Sequence, residues 1–230
     1  MWCSLEGVNL LAIKVLKDSF IKYYDELFKY VMLNIIWFSL FMVPFLLVYL
    51  NEIFIIIGVI SLIIFAGPII LSGMNYIYKT FDREETSVKG FFRGIKENFK
   101  RGVLSFLFSV VIYAIFILDI IFFLQNSQNY IMMIIAILFF YLFICFSMMQ
   151  IYYWGLLTIQ PETGLWQIVK RSFLLVLDNI LPTILIFISL VILFVLNIVL
   201  AFLTPFFLFT LISLIIIIMT RNILEKYEAK

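Results

Sequence analysis

The sequence predicts an all-α polytopic membrane bundle of about six transmembrane helices, with amphipathic helices at one membrane face. Three observations predict it. Of the 230 residues, 65% are hydrophobic and 13% charged, with a mean hydropathy of +1.18. Soluble domains run about 45–50% apolar and about 25% charged, so this chain has too little polar surface to coat a soluble globule. The apolar residues also come in blocks long enough to cross a hydrocarbon core of about 30 Å, which takes about 20 helical residues. Runs such as IIIGVISLIIFAG do not alternate as the strands of a barrel would. Finally, every basic residue falls on one side of the alternation of spans and turns.

Residues 8–29 read as an N-terminal interfacial helix. Ile13, Leu16, Phe20, Tyr23 and Leu27 recur at the spacing of one helical face, while Lys14, Asp18, Lys22 and Glu26 step by four along another. Such a helix lies along the membrane surface or packs on the protein's own loops, and the sequence leaves both open. The first twenty residues lack a basic n-region and a small-residue cleavage pattern, so they read as retained rather than as a signal peptide.

Span one is expected over Tyr30–Leu50, with Asn34, Trp37 and Pro44 inside it, and a turn at Asn51-Glu52 leads to span two over Ile53–Tyr78. Gly67-Pro68 lies within span two, where the proline removes a backbone hydrogen bond and kinks or breaks the helix. The loop 79–102 holds seven of the 16 basic residues. Within it Val88, Phe91, Phe92, Ile95 and Phe99 sit at i, i+3, i+4, i+7 and i+11, with Lys89, Arg93, Lys96 and Lys100 on another face. Thr86 or Ser87 is the expected N-cap. Span three follows over Val103–Leu124, then an uncharged turn at 125–129, then span four over Tyr130–Leu156. The loop 157–179 leads to span five, Ile180–Phe202. Thr204-Pro205 separates it from span six, Pro205–Leu224, because proline suits the first turn of a helix.

Orientation follows from charge. Four basic residues precede span one, seven lie between spans two and three, two between spans four and five, and three flank the end of span six, which accounts for all 16. The positive-inside rule then makes the chain a single integral domain, 1–230, of the cell membrane with both termini cytoplasmic. The two cytoplasmic loops echo each other. Glu85-Thr86-Ser87-Val88 matches Glu162-Thr163-Gly164-Leu165, and Glu97-Asn98 matches Asp178-Asn179 with about one turn extra in the second copy. This reads as a parallel repeat, against the alternative that loop helices of such proteins are commonly capped this way.

Asn34 and Trp37 in span one, Pro44 after them, Gly67-Pro68 in span two and the segment FFRGIKENFK together resemble the YesL-like family of bacterial integral membrane proteins, over roughly residues 28–200. In this chain Ile69 and Ile70 stand where small residues are expected after Gly-Pro. The resemblance implies an accessory role beside sugar-importer permeases in carbohydrate uptake. It implies no catalytic residues and no cofactor.

The residues themselves point to little chemistry. There is no His, and Cys3 and Cys145, far apart in sequence, are expected one beside the cytoplasm and one inside a span, so no disulfide or metal framework follows. No phosphate loop or nucleophile motif occurs, so no enzymatic activity, metal or cofactor is expected. Asp119 is the one acid inside a span; with Asn34 and Trp37 it forms the candidate intramembrane polar site. Phe91, Phe92, Arg93, Lys96 and Phe99 form the candidate contact for a partner or for the lipid bilayer. Nucleic acid is not an expected partner, since those aromatics are spaced for burial. A small-solute transporter with a site between the repeats, or a structural or regulatory membrane subunit, is the competing reading.

Overall fold

A helix that is apolar on all sides needs neighbours or lipid on all sides. The computed structural model describes residues 2–48, 52–125, 130–200 and 204–228. The described residues form α1 (Trp2–Asp25), α2 (Leu27–Val48), α3 (Glu52–Phe81), α4 (Val88–Glu97), α5 (Phe99–Gln125), α6 (Tyr130–Ile159), α7 (Leu165–Asp178), α8 (Ile180–Val199) and α9 (Thr204–Glu228), with no strand among them. Six of these, α2, α3, α5, α6, α8 and α9, are long and apolar enough to cross a membrane. The chain is an all-α, multi-pass membrane protein. The expected turns at Asn51 and 126–129, and the expected ends of spans one and five at Leu50 and Phe202, lie outside the described residues.

Helix α9 is the central post. Of its span 61% of the residues are buried within the protein, against 6% for α5. It touches α1, α2, α3, α6 and α8, and Leu214, Ile215, Ile217 and Met219 on its successive faces are fully buried. Pro205 stands in its first turn, as its fixed φ favours.

Helix α3 runs unbroken through Gly67-Pro68. Here α5 crosses so closely that a methyl group on Gly102 would lie 2.5 Å from the Pro68 nitrogen, and one on Gly67 would overlap the Gly102 carbonyl. Small residues at a crossing let backbones approach and gain dispersion contacts that apolar side chains gain equally from lipid. The α3–α5 pair is accordingly the most extensive in the bundle. At its end α3 closes with Arg83 in the left-handed region (φ 61). Glu84 N–H bonds the Lys79 carbonyl at 2.9 Å and Arg83 N–H the Thr80 carbonyl at 3.1 Å, a Schellman cap.

The break between α1 and α2 falls at Glu26, earlier than the expected end of the first helix, and α1 docks across α8 and α9. The face it buries is Ala12, Val15, Ser19 and Tyr23, whereas Ile13 (62%) and Phe20 (52%) of the expected apolar stripe stay exposed. Alanine, valine and serine let the helix close on its neighbours, while Tyr23 is the large side chain that enters with them. Leu27 belongs to α2 and does not continue the stripe.

Candidate functional site

The polar side chains gather at one end of the bundle, where α3, α6 and α9 finish and α5 and α8 begin. Arg221 near the end of α9 holds the Asp82 carboxylate just past α3, bonds Glu225 at 3.0 Å, and lies 5.1 Å from the Phe81 ring centre. Lys22 of α1 covers the same ring at 5.4 Å. These contacts clamp α1, α3 and α9 together at the basic end.

Helix α4 lies over this end. The Ser87 hydroxyl caps it by accepting from Gly90 N–H at 3.1 Å, while Thr86 accepts instead from the Thr80 hydroxyl, also at 3.1 Å. Phe91 is buried, and its carbonyl accepts a 2.6 Å bond from the buried Ser72 hydroxyl of α3. Gly94 makes this docking possible, since a Cβ there would stand 2.6 Å from Ser72 Oγ. The expected contact residues therefore divide. Phe91 points into the protein with Ile95 partly buried beside it, while Val88 (38%), Phe92 (48%) and Phe99 (38%) remain exposed with Arg93 and Lys96. Phe99 meets Phe65 of α3 edge-on at 6.0 Å.

Beside α4 is a cavity of about 410 Å³, walled by Ser72, Asn75 and Tyr76 of α3, Glu97 of α4, its cap Asn98, and Thr158 at the end of α6. Glu84, Glu85 and Lys79 stand at its margin. Its lining gives hydroxyls, amides, three aromatic rings and more carboxylates than ammonium groups, which suits a polar or cationic small molecule.

Of the candidate intramembrane residues, Asn34 and Trp37 meet the same first turns of α9, while Asp119 stands on α5. Asn34 is buried between α2 and α9; its amide nitrogen donates to the Phe206 carbonyl at 2.7 Å and to the Thr210 hydroxyl, and its oxygen accepts from Thr210 N–H at 3.1 Å. Phe206 carbonyl and Thr210 N–H are a pair that an α-helix joins at i and i+4. Asn34 thus grips α9 by its own ladder. Tyr23 adds a 2.6 Å bond to the same Phe206 carbonyl, tying in α1, and burial pushes its phenol above the usual pKa against the opposing pull of bonds with Thr210 and Asn34. Trp37 stacks on Phe209 of α9 at 4.7 Å, and its buried indole N–H has no partner among the described residues. Asp119 is half-buried near the far end of α5 and lines no part of the polar cavity.

Sequence reasoning passes over a polar seam between α5 and α6. Arg101, Ser105, Ser109 and Tyr113 recur every four residues on α5, a spacing of about 18 Å from first to last at 1.5 Å per residue. Ser109 lies 3.1 Å from Gln150 Oε1, Tyr113 donates to Ser147 at 3.2 Å, and Arg101 donates to the Gln160 carbonyl at 2.9 Å. Arg101 Nε, Ser105 Oγ and Gln150 Nε2 are buried along it without a partner among the described residues. The four-residue recurrence is the signal that identifies this face. Among the described residues no three His, Cys, Asp or Glu side chains are grouped to hold a metal. Comparison with family models, curated proteins and solved structures finds no match.

Proposed function

We propose that this chain is a non-enzymatic membrane subunit whose basic end faces the cytoplasm and whose α4 surface engages a partner. The resemblance noted in the sequence makes a carbohydrate importer's permease the expected partner. One contrast carries the reading. Asn34 of α2 is fully occupied in holding α9, whereas α4 presents Val88, Phe92, Arg93 and Lys96 outward from a docked helix. Replacing Arg93 and Lys96 by Glu tests it. Membrane insertion survives, because five basic residues remain in that loop, while recovery of the co-purifying permease falls. Recovery unchanged by the double replacement removes α4 as the interaction site. The attraction also weakens with added salt, as expected of exposed charge.

The polar cavity favours a second reading, a small-solute site where the two loop-bearing units meet, since Ser72, Asn75 and Glu97 come from the first and Thr158 from the second. Uptake that depends on Asn75 and Glu97 while partner recovery does not would select it over the accessory role.

A further inference from the structure

A second basic cluster lies away from α4, where the start of α5, the end of α6 and the middle of α7 meet. Arg101 Nη2 donates to the Gln160 carbonyl at 2.9 Å and Arg171 Nη1 donates to Gln160 Oε1 at 2.8 Å. One neutral glutamine therefore holds two guanidinium groups side by side. No carboxylate comes within 4.0 Å of either one among the described residues, although Glu162 lies near enough to act on Arg101 through space. Each guanidinium carries five N–H donors in a planar fork that matches phosphate, and most of these lack a protein acceptor. Two like charges gathered on a neutral side chain are repulsive unless an anion joins them.

The surface of α7 reached from Arg171 through Leu174, three residues on, is apolar. Trp166 (67%), Phe173 (53%) and Leu177 (53%) form one stripe of α7 at i, i+7 and i+11, with Leu174 (56%) adjoining it. The opposite face, Ile168, Ser172, Leu175 and Val176, is buried on the bundle. Lys170 lies over the Trp166 ring at 5.3 Å, so the stripe keeps a cation at its polar edge. The exposed stripe runs on into α8, where Ile180 and Leu181 are also half-exposed at the start of a membrane span. A surface that joins a guanidinium pair with no carboxylate in direct contact to an apolar track leading toward a membrane span has the two halves of a phospholipid's chemistry.

We propose that Arg101 and Arg171, set by Gln160, bind the phosphate of an anionic phospholipid whose acyl chains lie along the outer face of α7. The site stands independently of α4, so failure of the partner reading leaves it intact. The test uses the full chain, purified and delipidated in detergent, titrated with phosphatidylglycerol or phosphatidylcholine and read by native mass spectrometry. Phosphatidylglycerol is expected to give an adduct that phosphatidylcholine does not. Arg171→Gln, at an exposed position, is expected to weaken it about tenfold, the loss of a charge-assisted bond pair. Arg93→Gln on α4 is expected to leave it unchanged. Adducts of equal strength with both lipids, or an Arg171→Gln protein that binds as tightly as its parent, overturn the site. Displacement of the lipid by millimolar inorganic phosphate assigns the pocket to a soluble anion and overturns the lipid reading.

Discussion

The units α3–α4–α5 and α6–α7–α8 are built to one plan and close differently. In each, a 30-residue helix leads through a short loop to an amphipathic helix, and an asparagine joins that helix to the next span. Asn98 donates from its side chain to the Gly94 carbonyl at 2.9 Å, and Asn179 to the Leu175 carbonyl at 3.2 Å, both four residues back. Each asparagine's own carbonyl then accepts the amide four residues on, Gly102 at 2.7 Å and Thr183 at 3.1 Å. The residue at that fourth position separates the two units. Gly102 has no side chain, and α5 falls against Gly67-Pro68 of α3. Thr183 fills the same place, buried, with its hydroxyl bonded to Asn179 carbonyl at 2.6 Å and within 2.7 Å of the Tyr152 hydroxyl. Helix α8 meets α6 only slightly, and α6 turns its own glycine, Gly155, onto Thr220 of α9. A joint with the same local bonds thus serves a closed pair and an open one, and the side chain one turn beyond it selects between them.

The largest expected effect tests that selection. Gly102→Val places a carbon bearing two methyl groups where the Pro68 backbone already stands, and neither backbone can yield by rotating a side chain. Destabilisation of at least about 3 kcal/mol is expected, the upper end of overpacking costs. It appears as loss of folded protein in detergent or as a sharply lowered thermal midpoint. The comparison breaks if Gly102→Val matches its parent. It sharpens if Thr183→Val, which keeps the volume and removes the hydroxyl, costs about 1 kcal/mol, near the middle of the measured range for interhelical hydrogen bonds in membranes.

A smaller effect compares the joints themselves. The Asn98 side chain bonds only the preceding turn, whereas Asn179 also donates to the Tyr227 hydroxyl of α9 at 3.1 Å. Alanine at either position removes a bond to the preceding turn, but only Asn179→Ala also releases the end of α9. Asn179→Ala is expected to be the more destabilising of the two by about 0.6 kcal/mol, one average interhelical bond. Paired thermal unfolding of the two variants measures the difference, and equal midpoints would show that the Tyr227 contact adds nothing.

Much of this architecture is legible in the sequence, and the illegible parts share a cause. The spans are read from run length, since each helix that crosses the bilayer must bury its backbone bonds within itself. The Ser87 cap is read from a hydroxyl three residues ahead of the amide it accepts. Periodicity places Phe91 and Phe92 on one face, but Gly94 determines which part docks, by admitting Ser72 close to the backbone. The same holds for α1, where Ala12 and Ser19 mark the buried side because they are small. Patterns that count apolar residues overlook such contacts. Asn34 presents a different limit, because its partners Phe206 and Thr210 lie more than 170 residues away, and only the fold brings α9 beside α2. The seam from Arg101 to Tyr113 was visible as a four-residue repeat of polar types, yet serine in a span so often bonds its own helix that the repeat alone names no neighbour.

The smallest expected effect concerns the far end of α5. The first unit is held at its basic end by Gly67, Gly102 and the Asn98 joint, and Asp119 lies beyond all three, half-buried. If closure depends on that end alone, Asp119→Asn changes stability by no more than about 0.5 kcal/mol, the ordinary range for a substitution away from packed or bonded features. The amide keeps the volume and the capacity to bond, so any associated uptake is also expected to persist. Membrane abundance and uptake measured together separate the outcomes. Loss of both would mean that the far end of α5 supports the closed pair after all. Normal abundance with abolished uptake would give Asp119 a part in moving a solute, and would favour the transporter over the accessory role.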